Sequence, residues 1–189
     1  MQIQVLKENL HQGVMIASRL AASKAQLPIL GYVGIEATDE GIHLVATDLE
    51  VGVRVRVRGK VVETGSMAVP AKLLAELTTA LPLGTVELKT EKSGGLLVMA
   101  GKVRALIQGM GMAEFPPMEV KGAVRAGVVE VEKLKQVLSR VGFAVSKDES
   151  RPVLTGVMWE VKRGLWVATD GYRLSMTEAG IVPDKKALV

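Results

Sequence analysis

The sequence predicts an α+β fold made of duplicated domains of antiparallel strands and amphipathic helices, and three observations predict it. A helix, strand, turn, strand pattern recurs in order along the chain. Strand-period segments bounded by Gly and Pro follow each helical segment. The composition, 48% hydrophobic with only two Phe, two Tyr and two Trp, requires cores of Val, Leu, Ile, Ala and Met. A length of 189 residues accommodates one large domain or one to two ordinary ones.

The repeat is read by register. Val5, Glu8, Leu10, Gln12, Pro28, Leu30, Val33 and Glu36 fall, at one constant offset, on Val129, Glu132, Leu134, Gln136, Pro152, Leu154, Val157 and Glu160. Removing two residues in the turn Thr38–Gly41 brings Leu44-Val45-Ala46-Thr47-Asp48 onto Trp166-Val167-Ala168-Thr169-Asp170. Val69-Pro70-Ala71-Lys72 recurs as Val182-Pro183-Asp184-Lys185. The weight lies in the order and the near-constant offset, because single matches arise by chance.

In the first copy, Leu10, Val14 and Ala17 form the apolar stripe of a helix expected over Lys7 to Ala22. Gly13 inside it costs about 1 kcal/mol of helix propensity. Ile29 to Ala37 and Ile42 to Thr47 read as a hairpin, and Val51 to Val57 alternates as a half-buried strand should. A second helix opens after Pro70, where proline suits the first turn, with Leu73, Leu74, Leu77 and Leu81 as its buried stripe. Val86 to Lys89, Gly95 to Met99 and Val103 to Gln108 supply further strands. Phe115-Pro116-Pro117 reads as a linker. In the second copy a helix over Glu132 to Val145 buries Leu134, Val137, Leu138 and Val141 and leaves Lys133, Gln136 and Arg140 together on its wet side. Strands are expected at Val153 to Val161 and Leu165 to Ala168. These boundaries give domains at 1–120 and 121–189, the second expected to be incomplete because the chain stops where its second helix should begin.

Composition excludes several kinds of chemistry. With no Cys there is no disulfide, thiol nucleophile or cysteine zinc site, and two His leave no multi-histidine metal centre. No cofactor or metal is expected, and no enzymatic activity. Residues Gly95 to Val103 miss a phosphate loop by one residue of spacing and by Val103 in place of Ser/Thr. No apolar run reaches the roughly 18 residues of a membrane span, and the N-terminus lacks a signal-peptide pattern, so a cytoplasmic location without membrane contact is expected. The net charge of +4 is a mild excess. Asp48 and Asp170, at matching repeat positions, read as turn or cap residues. His11 and His43 read as ordinary surface or boundary residues. Arg54, Arg56 and Arg58 read as a solvated strand face, and Lys24, Lys72, Lys133, Gln136 and Arg140 as a polar helical set.

Leu27-Pro28-Ile29-Leu30-Gly31, Ala46-Thr47-Asp48-Leu49-Glu50, Val69-Pro70-Ala71-Lys72, Ala113-Glu114-Phe115-Pro116 and Ala168-Thr169-Asp170-Gly171-Tyr172-Arg173-Leu174 together resemble the bacterial sliding clamps, the beta subunits of DNA polymerase III. The resemblance covers that family's first domain and part of its second, with the third absent. It implies the DNA-clamp fold, with antiparallel sheets outside and paired helices lining the inner face of a head-to-tail homodimer ring in the full-length form. It also implies a non-catalytic processivity factor that encircles duplex DNA and tethers the polymerase III alpha subunit, the clamp loader and other clamp-binding proteins. A ring holds by topology, so it needs a cationic lumen and few base contacts.

The resemblance makes Lys24 a DNA contact and the loop Ser146 to Arg151, with Lys147 and Arg151, a second contact region. Lys72, Lys133, Gln136 and Arg140 join them as lumen candidates. Two departures from the family bear on that loop: Asp148 and Glu149 replace a neutral amide, and Pro152-Val153 replaces an aromatic pair. Leu154, Thr169, Gly171, Tyr172, Arg173 and Leu174 match the second-domain half of a pocket that takes a short partner peptide. The alternative is a peptide-binding scaffold that reuses the duplicated fold without DNA.

Overall fold

The structure, a computed structural model, describes residues 1–21, 27–116 and 129–180. The chain divides into two compact units, Met1–Glu119 and Val120–Val189. In unit 1, β1 (Gln2–Leu6) leads into α1 (Lys7–Ala17), β2 (Tyr32–Thr38), β3 (Gly41–Thr47), β4 (Gly52–Val57) and β5 (Gly59–Glu63). A second set comes next: β6 (Gly65–Pro70), α2 (Ala71–Ala80), β7 (Thr85–Thr90), β8 (Gly95–Ala100) and β9 (Val103–Gln108). The sheets run β5-β1-β7-β8-β9 and β4-β3-β2-β6, with every pairing antiparallel. The leading strand of each set therefore joins the meander of the other, β1 on β7 and β6 on β2. Unit 1 is two interlocked halves of the same build.

The inner faces of both sheets and the two helices share one core. Ile3, Val33, Ile35, Leu44, Leu88 and Leu96 are buried in it with Leu10, Val14 and Leu74 of the helices. The α1 stripe falls where its period places it, on Leu10, Gly13, Val14 and Ala17. Gly13 is explained by packing: a Cβ there would lie 2.8 Å from Val57 Cγ2 and 3.1 Å from Leu44 Cδ1. The helix thus lies against the sheet at a distance only glycine allows, which offsets its poor propensity. A smaller cluster holds Ile29, Leu30 and Ala68 under Met110, Met112 and Phe115. Phe115, expected in a linker, is therefore a packing residue.

The helix expected to run to Ala22 stops at Ala17. The Ser18 hydroxyl donates to the Met15 carbonyl, and the amides of Arg19 and Leu20 reach back only three residues, tightening the last turn. The strand expected from Ile29 begins at Tyr32 because Pro28 opens a 3-10 turn over Pro28–Gly31. In α2 the buried positions are Ala71, Leu74 and Thr78, and Leu81 beyond its end. Leu73 is 48% exposed, since the buried arc is set by Leu74 and excludes its neighbour about 100° away. Strands β1, β5 and β6 had no expectation from sequence.

Unit 2 contains α3 (Val131–Val141), a 3-10 turn at Gly142–Ala144, another at Pro152–Leu154, then β10 (Met158–Glu160), β11 (Leu165–Thr169) and β12 (Leu174–Glu178) in one antiparallel sheet. The expected helix to Val145 tightens at Gly142, and the expected strand from Val153 starts at Met158 because Pro152 again opens a 3-10 turn. Val137, Val141, Ala144, Trp166 and Ala168 form its core. Of the expected stripe, Leu134 is half-buried and Leu138 is 42% exposed. Trp159 and Trp166 pair across β10 and β11 and stack with centroids 4.6 Å apart. No helix among the described residues is long and apolar enough to cross a membrane.

Candidate functional site

Two turns at equivalent repeat positions have the same hydrogen-bond pattern. In unit 1, Leu49 N–H donates to Thr47 Oγ1 at 3.0 Å, and Glu50 and Val51 N–H donate to Asp48 Oδ1 at 3.0 and 2.7 Å. Thr47 Oγ1 donates to the Val51 carbonyl at 2.9 Å. In unit 2, Gly171 N–H donates to Thr169 Oγ1 at 3.1 Å, and Tyr172 and Arg173 N–H donate to Asp170 Oδ1 at 3.0 and 2.9 Å. Thr169 Oγ1 donates to the Arg173 carbonyl at 2.7 Å. Asp48 and Asp170 are thus turn residues. The amides hold both carboxyls below the ordinary carboxylate range, Val51 contributing most at Asp48 and Arg173 most at Asp170.

The turn in unit 2 borders a cavity of about 370 Å³. Its lining is Val145, Ser146, Lys147, Asp148 and Arg151 from one loop and Asp170, Tyr172 and Arg173 from the turn. The cavity joins residues that the sequence placed in separate roles, Lys147 and Arg151 toward DNA and Tyr172 and Arg173 toward a peptide. Unit 1 has a cavity of about 410 Å³ between α1 and β4, lined by Asn9, Gln12, Arg56 and Arg58 among others. None of the site residues expected from sequence lines that one.

Each wall of the unit 2 cavity has an internal cause. Ser146 N–H donates to the Leu154 carbonyl, and Asp148 Oδ1 accepts from Ser150 N–H at 3.0 Å, so the loop is folded on itself. Ser150 also holds the Asp148 carboxyl below its ordinary range, side chain first and then backbone. Arg173 Nε donates to Asp170 Oδ2 at 2.9 Å while its guanidinium lies over the Phe143 ring, 5.6 Å from the centroid. Gly171 has φ +92°, and a Cβ there would lie 3.7 Å from an Arg151 guanidinium nitrogen. Tyr172 is fully exposed and Leu174 is 62% exposed. Val145 and the Tyr172 ring stand in a lining otherwise made of hydroxyl, ammonium, guanidinium and carboxylate groups, with Leu174 following the turn outside it. Phe143 and Val145 were not assigned to any site from sequence; the resemblance carried by Ala168–Leu174 and the Ser146–Arg151 loop pointed to both walls, but not to their meeting in one cavity.

The helical candidates are elsewhere. Lys133, Gln136 and Arg140 are exposed along α3, and Lys72 is exposed in the first turn of α2. Lys133 Nζ lies 2.8 Å from a Glu130 carboxyl oxygen, and that hydrogen bond raises its pKa. Lys24 lies outside the described residues, as does the second Val-Pro-Asp-Lys run from Val182 to Lys185. Among the described residues there is no group of three or more His, Asp or Glu able to hold a metal.

Residues 1–119 match the model of the DNA polymerase III beta subunit N-terminal domain, and residues 128–188 match that of the central domain. The chain belongs to the DNA polymerase III beta subunit family. It is 26% identical to the Beta sliding clamp of Bacillus subtilis over 198 residues, covering 99% of this chain and 52% of that protein. Against the Beta sliding clamp of Chlamydia pneumoniae it is 33% identical over 162 residues, covering 84% and 44%. The crystal structure of the DNA polymerase III beta subunit from Thermotoga maritima superposes with a TM-score of 0.86 at 31% identity, covering 97% of this chain and 50% of that one. The fold is that of the sliding clamps, and the chain spans about half the length of the curated relatives it matches.

Proposed function

We propose that this chain is a part of a replication processivity clamp, carrying its N-terminal domain and partner-docking residues of its central domain. The observation that carries this reading is the ordered match of both beta-subunit domain models to the two units, together with the cavity beside Thr169–Arg173. The whole clamp encircles duplex DNA as a homodimer ring in the cytoplasm and does no chemistry of its own. It tethers the polymerase III alpha subunit, the clamp loader and other proteins bearing the same short motif. Lys72, Lys133, Gln136 and Arg140, with Lys24 and the Lys147 and Arg151 loop, supply the weak, sequence-independent attraction to phosphate that sliding requires. Tyr172, Leu174 and Leu154 bury the apolar anchors of the peptide, Thr169 and Gly171 shape the turn beneath them, and Arg173 supplies a fixed cation.

The test uses the full-length clamp loaded on nicked circular DNA by its loader. Retention on circles, release on linearisation and weakening of retention with salt are expected. Lys24→Glu should reduce retention more than Arg56→Glu does. No retention on circles would overturn the clamp reading, and peptide binding without retention would favour a scaffold that does not act on DNA.

A further inference from the structure

The Thr-Asp turns of the two units fold through the same hydrogen bonds but carry different side chains. In the repeat register Leu27, Glu50 and Val51 of unit 1 stand where unit 2 has Arg151, Tyr172 and Arg173. The turn has no structural need of a guanidinium at either place, because the unit 1 turn forms with Leu27 and Val51 there. Leu27, Leu49 and Val51 are each half or more exposed, in the unit whose core is closed by both sheets and both helices. Closing a core thus leaves this end of a unit open to solvent, and the exposure of Arg151 and Arg173 is a property of the turn itself.

The charges around the unit 2 cavity are unevenly used. Asp170 accepts from the Tyr172 and Arg173 amides and from Arg173 Nε, and Asp148 accepts from Ser150 N–H. Among the described residues Lys147 and Arg151 form no ion pair, and Arg173 hydrogen-bonds Asp170 through Nε alone. The Arg151 guanidinium reaches the turn beside Gly171, where a Cβ would lie 3.7 Å from its Nη1.

We propose that Lys147, Arg151 and Arg173 make this cavity selective for a partner peptide bearing a carboxylate side chain next to its apolar anchors. Such selection presupposes the peptide docking of the proposed function and specifies which peptides dock best. Three cations share the lining with two carboxylates that are already hydrogen-bonded, so a third carboxylate balances the charge and meets donors held by the wall. The guanidinium groups offer forked N–H donors that match a planar carboxylate, and Lys147 adds charge without a geometric demand. Val145 and the Tyr172 ring in the same lining favour a peptide over a phosphate backbone, which has no apolar group to place against them.

Fluorescence polarisation on the full-length clamp tests this with three labelled peptides that share leucine anchors and carry Asp, Asn or Lys at the flanking positions. The Asp peptide should bind about five- to tenfold more tightly than the Asn peptide at roughly 50 mM salt, with the Lys peptide weakest, and the spread should shrink toward about 0.5 M. Arg151→Gln should lower the Asp-to-Asn ratio below about twofold. Lys147→Glu combined with Arg151→Glu should reverse the order so that the Lys peptide binds best, a gain that a misfolded clamp cannot show. Equal binding of the Asp and Asn peptides by the unaltered clamp overturns the proposal, leaves peptide docking in place and assigns these cations to DNA phosphate. An Arg151→Gln clamp that keeps the full Asp preference overturns it as well. Binding of none of the three peptides by the unaltered clamp overturns peptide docking itself, and acid selection with it.

Discussion

Leu49 is the one non-glycine residue with positive φ among the described residues, at 81°, and it occupies the position that Gly171 fills in the matching turn of unit 2. An L side chain in that region costs about 1–2 kcal/mol, less the greater freedom glycine loses on folding. Leu49→Gly should therefore stabilise unit 1 by about 0.5–1 kcal/mol, seen as a raised thermal midpoint. Gly13→Val should act in the opposite direction, by about 1–3 kcal/mol, because the contacts at 2.8 and 3.1 Å leave no room for the new methyl groups. His43 supplies a pH signature. It lies in register between Glu36 and Arg56, and burial first, then Arg54 and Arg56, hold its pKa below the ordinary 6.5. Below pH 6.5 the unfolded chain binds more protons than the folded one, so stability is complete above that pH and declines as pH falls toward the folded pKa. Urea midpoints measured from about pH 7.5 to about pH 5.5 should show this decline, and His43→Gln should flatten it.

At the scale of elements, the Thr-Asp turn is a unit that both copies use, and its consequence differs with what surrounds it. In unit 2 it carries Tyr172 and Arg173 to the cavity, so removing the acceptor of the Tyr172 and Arg173 amides should disperse the wall it forms. Asp170→Ala should weaken binding of a clamp-binding peptide at least about tenfold in fluorescence polarisation. Asp48→Ala, which breaks the matching turn in unit 1, should leave that affinity unchanged. The depressed pKa of Asp170 adds a sign: its contribution is present above about pH 4 and is lost as acid protonates it.

For the whole molecule, the two units differ in how much core each holds. Unit 1 closes a core across both sheets and both helices, whereas the core of unit 2 rests on Val137, Val141, Ala144, Trp166 and Ala168. Both tryptophans of the chain, Trp159 and Trp166, belong to unit 2. Emission therefore reports unit 2 alone, while far-ultraviolet circular dichroism reports both units. In urea the emission transition should precede the major dichroism transition, a departure from two-state behaviour that coincident curves would contradict.

Much of this protein is legible in sequence because local chemistry carries it. The repeat register, the α1 stripe of Leu10, Val14 and Ala17, the hairpins and the Asp turns all come from side-chain periodicity and from groups that satisfy neighbouring amides. Strand β1, the burial of Thr78 and the packing of Phe115 do not, because each depends on a partner far along the chain. The exchange of leading strands between the halves of unit 1 is likewise invisible to periodicity, since a strand's alternation is the same whichever sheet receives it. The duplicated α+β plan and the residues of the turn at Thr169–Arg173 are therefore properties of the residue order. That Lys147, Arg151, Tyr172 and Arg173 line one cavity, and that Leu138 is exposed where Val14 is buried, emerges only on packing, because proximity and burial belong to the arrangement of elements rather than to any one of them.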